Sequence, residues 1–326
     1  MRRREFVALL GSATTIWSTL AAPQQVDRVR RIGILSFRSN EEFWGEYVPA
    51  LKDRLQTLGW KEVRNLRYVG LPVEGTDQLQ AAADQLVALS PDVIFASSNP
   101  AVAALMKATR SIPVVFTSVS DSVGSGFAAS LGHPGGNVTG FHNFEPGIAA
   151  KWFELLTQLA PGVRRVAVVC DSQIAANVAF LQVSQHVHPL GVKVVAARVD
   201  EAGEFAPTLT AFAKESGGGC IVAPNPINST GRDLLIGLAA RLNLPTIYPF
   251  RFYPDGGGLA SYGFDRTQQV LEVASYLDRI LRGAKPEGLP VQLPTKFEFV
   301  INLKTARALG LTVPQSLLLL ADDVIQ

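Results

Sequence analysis

The sequence predicts an α/β protein made of two doubly wound parallel-sheet lobes joined by a hinge that the chain crosses several times. Three observations predict it. From Arg31 onward, short β-branched runs alternate with helix-length amphipathic segments, the pattern of βαβ units around a parallel sheet. The strand-like runs fall into two groups of five. The chain of 326 residues also exceeds the usual size of one domain, so two lobes of roughly 100–150 residues are expected.

In order, the first group of strands is read at residues 32–37, 65–69, 92–96, 114–118 and 138–141, and the second at 166–170, 193–199, 220–223, 246–248 and 259–262. Helices are read between them at 44–58, 77–89, 100–109, 151–159, 177–186 and 232–242. A weak repeat supports the division. Strand, polar turn, helix, apolar-Pro, strand runs from Asp92 to Thr117 and again from Cys220 to Tyr248; a duplication and the shared demands of βαβ geometry account for it equally well. The crossings are placed near 141–146, 262–265 and 288–294. Lobe 1 is then 26–143 with about 264–287, and lobe 2 is 144–263 with about 288–326. Several crossings make a hinge.

Residues 1–25 read as a signal peptide. Arg2, Arg3 and Arg4 precede an apolar run from Phe6 to Leu20 that ends in Ala21 and Ala22, the order of a secretory leader. The string Arg3-Arg4-Glu5-Phe6-Val7 resembles a twin-arginine export motif, and a Sec signal fits the same order. A soluble periplasmic location is expected. Without the leader the chain carries 27 basic and 27 acidic side chains, so no long-range field draws it to nucleic acid or anionic lipid. Cys170 and Cys220 are expected at opposite ends of neighbouring strands, too far apart to bridge.

Ligands of open α/β sheets bind beyond the carboxyl ends of the strands. In lobe 1 those ends carry Ser36, Phe37 and Arg38, then Ser97, Ser98 and Asn99, then Thr117, Ser118 and Asp121. In lobe 2 they carry Asp171 and Ser172, Asn225, Tyr248, and Ser261 with Tyr262. This set suits a small zwitterion or polar organic molecule. Asn99 is read as an N-cap and Pro100 as the first helical residue, so free N–H groups would face an anion at this turn. Ser97, Ser98 and Thr117 are therefore expected to hold a carboxylate, with Phe37 or Tyr262 covering the ligand body. Asp121, Glu145, Asp171 and Asp265 are the candidate partners of an ammonium. His186 and His188 would not share a helical face, so no metal is expected. No cofactor is expected either, because Gly256-Gly257-Gly258 lacks dinucleotide spacing and no phosphate loop is present.

Four strings resemble one family: Arg2 to Phe6 with its leader, His133-Pro-Gly-Gly-Asn-Val-Thr-Gly140, Gly257-Gly-Leu-Ala-Ser-Tyr-Gly263, and the run Leu293 to Gly310. They are similar to the ABC-transporter substrate-binding proteins related to the tryptophan-binding TrpX proteins, of the type I periplasmic-binding-protein fold. The resemblance implies a monomeric binding protein with no chemistry of its own, holding a small organic solute, an aromatic amino acid by analogy, in the cleft between lobes. It also implies a membrane permease as partner. Cys170 to Ala175 and Ser122 depart from the family pattern at the expected cleft. An exported α/β hydrolase is the alternative, although no Gly-x-Ser-x-Gly elbow occurs; a ligand sensor of the same fold is another. The 293–310 run reads as a packing segment of apolar and helical character.

Overall fold

The computed structural model describes residues 28–37, 43–119, 121–142, 146–187 and 191–326. The predicted leader, Arg38, Glu145 and His188 lie outside these residues.

The first sheet contains β1 (Arg30–Phe37), β2 (Leu66–Val73), β3 (Val93–Ser97), β4 (Val114–Val119) and β5 (Val138–His142), all parallel in the order β2-β1-β3-β4-β5. Its inner strands β1, β3 and β4 are buried on both faces, as a parallel sheet covered by helices demands. Helices α1 (Val48–Thr57), α2 (Leu79–Ala88) and α3 (Asn99–Ala108) connect them. On one face Ile32, Ile34, Phe95 and Val115 pack under α1, and on the other Leu35, Ile94, Ala96 and Phe116 pack under α2 and α3. The helix expected at 44–58 starts instead with a π-helical turn, Phe43–Tyr47. That turn drives Phe43 and Tyr47 into the core.

The second sheet contains β6 (Arg165–Cys170), β7 (Lys193–Arg198), β8 (Gly218–Val222), β9 (Thr246–Tyr248), β10 (Ala260–Phe264), β11 (Phe297–Asn302) and β12 (Asp323–Ile325), in the order β12-β11-β10-β9-β8-β6-β7. Its helices are α4 (Ala149–Leu159), α5 (Ala175–Val187), α6 (Phe205–Ala213), α7 (Pro226–Thr230), α8 (Arg232–Arg241) and α9 (Phe252–Asp255); α10 (Arg266–Leu281), α11 (Leu303–Ala308) and α12 (Gln315–Leu320) follow. Five strands were expected here and seven are found. The 293–310 run supplies β11, antiparallel to β10, before it turns helical at Leu303. Phe299 and Ile301 send alternate side chains into the core, a two-residue period that the apolar character of the run conceals.

Helix α10 follows lobe-2 strand β10 in sequence, yet its Val270, Val273, Ala274 and Leu277 are buried with Ile32, Ile34 and Phe95 of the first sheet. The chain thus passes between sheets after β5, after β10 and after α10. These passages are tied together. His142 N donates to Gln292 O at 2.9 Å, Gln292 N to Gly140 O at 3.0 Å, and Asp265 N to Lys296 O at 2.9 Å. Two glycines are required at this seam. A Cβ at Gly140, where φ is +156°, would lie 2.2 Å from Phe116 O, and one at Gly263 would lie 1.8 Å from Pro249 O.

Cys170 and Cys220 are buried and unbridged. Cys220 pairs with Ala167, three residues before Cys170 on β6. Burial pushes the Cys170 thiol up to about 11 and the Cys220 thiol up to about 12, so both behave as inert apolar groups.

Candidate functional site

The first sheet turns from apolar to polar along one face. Ile32 and Ile34 lead to Ser36 on β1, Val93 and Phe95 to Ser97 on β3, and Val115 to Thr117 on β4, since alternate residues share a face. Ser97 pairs with Thr117 across β3 and β4, and Leu35 pairs with Ala96 one step earlier on β1 and β3. Ser36, Ser97 and Thr117 therefore form a row of hydroxyls over the carboxyl ends of three neighbouring strands, at 0, 1 and 1% exposure. Phe37 takes the opposite face and packs against the α2 and α3 side, so it does not cover this row.

Tyr47 does. Its ring stacks on Phe43 at 5.8 Å and on Phe95 at 5.9 Å, which brings the phenol beside Thr117. Burial raises the pKa of that phenol, so it is a neutral hydroxyl. Neither Tyr47 Oη nor Ser36 Oγ has a hydrogen-bond partner among the described residues. An unpaired buried polar group costs about 1–3 kcal/mol, so each of these hydroxyls calls for a partner that the described residues do not supply. The guanidinium of Arg266, the first residue of α10, lies 5.8 Å from the rings of both Tyr47 and Phe250. Arg266 thus touches aromatic rings of both lobes.

Thr117 Oγ1 donates to Gln269 Oε1 at 2.5 Å, and Gln269 Nε2 donates to His142 O at 3.0 Å. Gln269 is 4% exposed. His142 Nε2 accepts from Ser122 N at 3.1 Å and faces Ser122 Oγ at 2.9 Å; burial lowers its pKa to about 4, so the ring is neutral. A hydroxyl has one hydrogen, and that of Thr117 is already donated. The expectation that Thr117 donates to a carboxylate is corrected accordingly.

The Ser97-Ser98-Asn99 turn holds a second correction. Ser98, not Asn99, is the N-cap of α3, with Oγ accepting from Ala101 N at 3.4 Å. Its backbone, at φ 102° and ψ 151°, lies in a region that is essentially glycine territory and costs about 1–3 kcal/mol. Ser118 on the next strand is left-handed as well, at φ 57°. Asn99 Nδ2 reaches Ser125 Oγ at 3.2 Å.

In lobe 2 the expected contacts are mostly committed to the fold. Asn225 caps α7 through Asn228 N at 2.7 Å and donates to Asn177 Oδ1 at 2.9 Å. Asn177 also accepts from Asp171 N at 3.0 Å and donates to Pro224 O at 3.1 Å. Tyr248 is corrected outright: 1% exposed, it stacks on Tyr253 at 4.6 Å inside the core beside α8. Ser261 is buried on β10. Tyr262 stays half-buried and stacks almost flat on Phe297 at 5.4 Å.

Among the acids, Asp121 accepts from Gly124 N at 2.7 Å, and Asp265 caps α10 and pairs with Lys296 at 2.7 Å. Asp171 accepts from Gln173 N at 2.7 Å and is 6% exposed; desolvation raises its pKa. No cluster of metal-ligating side chains occurs among the described residues.

Two lobes with polar strand ends and a three-strand seam place the chain among bilobal binding folds, and residues 32–325 match the ABC transporter substrate binding protein family. The chain belongs to that family. This substrate-binding protein is 24% identical over 267 residues to the tyrosine-binding protein of Clostridioides difficile, a match spanning 81% of this chain and 75% of that one. It superposes on a conserved domain protein from Vibrio cholerae with a TM-score of 0.83 at 26% identity, covering 91% of this chain and 100% of the other. An ABC domain from Streptococcus pneumoniae in complex with L-Trp gives a TM-score of 0.81 at 26% identity, covering 91% and 99%.

Sequence reasoning missed Tyr47, Arg266, Gln269 and His142 as neighbours of the strand-end hydroxyl row. All four lie at or beside the passages between strand ends and helices, where a search confined to strand-end turns does not look. The signal was the polar Arg266 to Gln269 start of α10 directly after a crossing.

Proposed function

We propose that this substrate-binding protein captures an aromatic amino acid between its lobes outside the cytoplasmic membrane and delivers it to a membrane permease. The observation that carries the reading is the buried row Ser36, Ser97 and Thr117 with the unpaired Ser36 and Tyr47 hydroxyls. Buried hydroxyls beside aromatic rings match the chemistry of small-molecule pockets, apolar walls with few oriented polar groups. The tyrosine-binding relative and the L-Trp complex support the ligand class. The basic, apolar, small-residue order of residues 1–25 supports export, and no described helix is long and apolar enough to cross a membrane. Ser97 and Ser98 at the start of α3 receive the carboxylate, Asp171 offers negative charge from lobe 2, and closure about the seam presents both lobes to the permease. We place lobe 1 at 26–143 with about 264–287, and lobe 2 at 144–263 with about 288–326. Native mass spectrometry of the purified protein tests the reading: a bound mass equal to tyrosine or tryptophan is expected, and a bound sugar in its place would refute it.

A further inference from the structure

We propose that Gln269 is a positioning residue that locks the Thr117 hydroxyl as a hydrogen-bond acceptor, so that the end of β4 reads the ligand's ammonium group. The proposal rests on the amino-acid reading and adds which end of the ligand lies where. The argument runs from the seam outward. His142 O is a backbone carbonyl and can only accept, so the group facing it at 3.0 Å must be the Gln269 amide nitrogen. The amide oxygen then faces Thr117 and can only accept as well, which obliges Thr117 Oγ1 to give it its one hydrogen.

What remains on Thr117 is lone pairs. Toward a ligand it can receive an N–H or O–H and cannot bind a carboxylate. One strand away the polarity reverses. Ser97 is the register partner of Thr117, and its hydroxyl, buried beside that of Thr117, is not committed to Gln269 and can give its hydrogen to an anion. Neighbouring parallel strands are about 4.8 Å apart, so a donor end and an acceptor end stand side by side, as the carboxylate and ammonium do on one α-carbon. Gln269 holds this arrangement from α10, the helix that enters lobe 1 from the seam, and through His142 O it also grips the last residue of β5.

The test compares three probes by calorimetric titration: L-tyrosine or L-tryptophan, the same molecule lacking its amino group (hydroxyphenylpropionate or indolepropionate), and the amine lacking its carboxylate (tyramine or tryptamine). Thr117→Val, which keeps shape and removes the acceptor, is expected to weaken the amino acid by about 10- to 150-fold and to leave the desamino acid within about 3-fold of the parent. Gln269→Met frees the Thr117 hydrogen and is expected to shrink the parent's preference for the amino acid over the desamino acid by about tenfold, which a merely structural loss would not do. Gln269→Glu should regain the preference as pH falls and its buried carboxyl takes up a proton, because the neutral acid donates to His142 O and accepts from Thr117 as the amide does. Equal weakening of the amino acid and the desamino acid by Thr117→Val, with the amine unaffected, would overturn the proposal and return Thr117 to the carboxylate. If the parent binds none of the three probes, the amino-acid reading fails and the proposal falls with it.

Discussion

Replacing Ser98 by glycine should stabilise the fold while removing the proposed carboxylate contact. The backbone of Ser98, at φ 102° and ψ 151°, costs on the order of 1–3 kcal/mol for any residue with a Cβ, and glycine relieves that cost. Two terms oppose the gain. Exchanging a serine N-cap for glycine loses only a few tenths of a kcal/mol, and less than usual here because the cap bond to Ala101 N is long at 3.4 Å. The freer unfolded chain costs a further 0.4–1 kcal/mol, roughly. The balance is a stabilisation of about 1 kcal/mol. Ser98→Ala keeps the strain and loses the cap, so it should destabilise by about 0.5–2 kcal/mol. Urea denaturation of the parent and both variants at pH 7 should rank glycine above serine above alanine, with unchanged slopes. An alanine variant as stable as the glycine variant would refute the claim that this turn stores backbone strain. In titration with the amino acid, both variants should bind more weakly than the parent by about tenfold or more, the loss of one hydrogen bond to a charged group.

Three further outcomes follow from the same geometry. His142 is held neutral with its pKa lowered to about 4 by burial, so the unfolded chain takes up a proton that the folded chain refuses between pH 6.5 and 4; stability should fall by up to about 3 kcal/mol across that window, and His142→Gln should remove that part of the slope in denaturation measured at several pH values. Asn225→Ala should cost about 2–4 kcal/mol in chemical denaturation, because it strips the α7 cap and a donor to Asn177; a cost below about 1 kcal/mol would return Asn225 to the role of a free ligand contact. Gly263→Ala forces a Cβ to within 1.8 Å of Pro249 O and should cost about 3 kcal/mol or more in thermal or urea unfolding, whereas Gly288→Ala, whose Cβ would meet nothing within 4 Å, should be nearly neutral.

The sequence made the parallel βα alternation legible because strands buried on both faces are continuous apolar runs, such as Val114 to Phe116 and Val166 to Cys170. It also made the row of strand-end hydroxyls legible, since Ser36, Ser97 and Thr117 each follow an apolar run. Two things were hidden. Hydrogen-bond polarity was one: whether Thr117 donates or accepts is decided by Gln269, which is 152 residues away in sequence. The other was the side-chain direction of residues that end a strand. Tyr248 ends β9 and reads as a cleft aromatic, but its ring turns inward onto Tyr253. Tyr47 reads as an ordinary helical residue, but the π-helical turn brings it over the hydroxyl row. Strand β11 escaped notice because Phe297 to Asn302 is followed at once by helix α11, so the mixed run averages out any two-residue period.

The most direct test of the account is isothermal titration of the leader-free protein with L-tyrosine and L-tryptophan, with glucose as the control. One site per chain with micromolar or tighter affinity for an aromatic amino acid, and no heat from glucose, is the predicted result. No binding of either amino acid together with saturable binding of the sugar would contradict it.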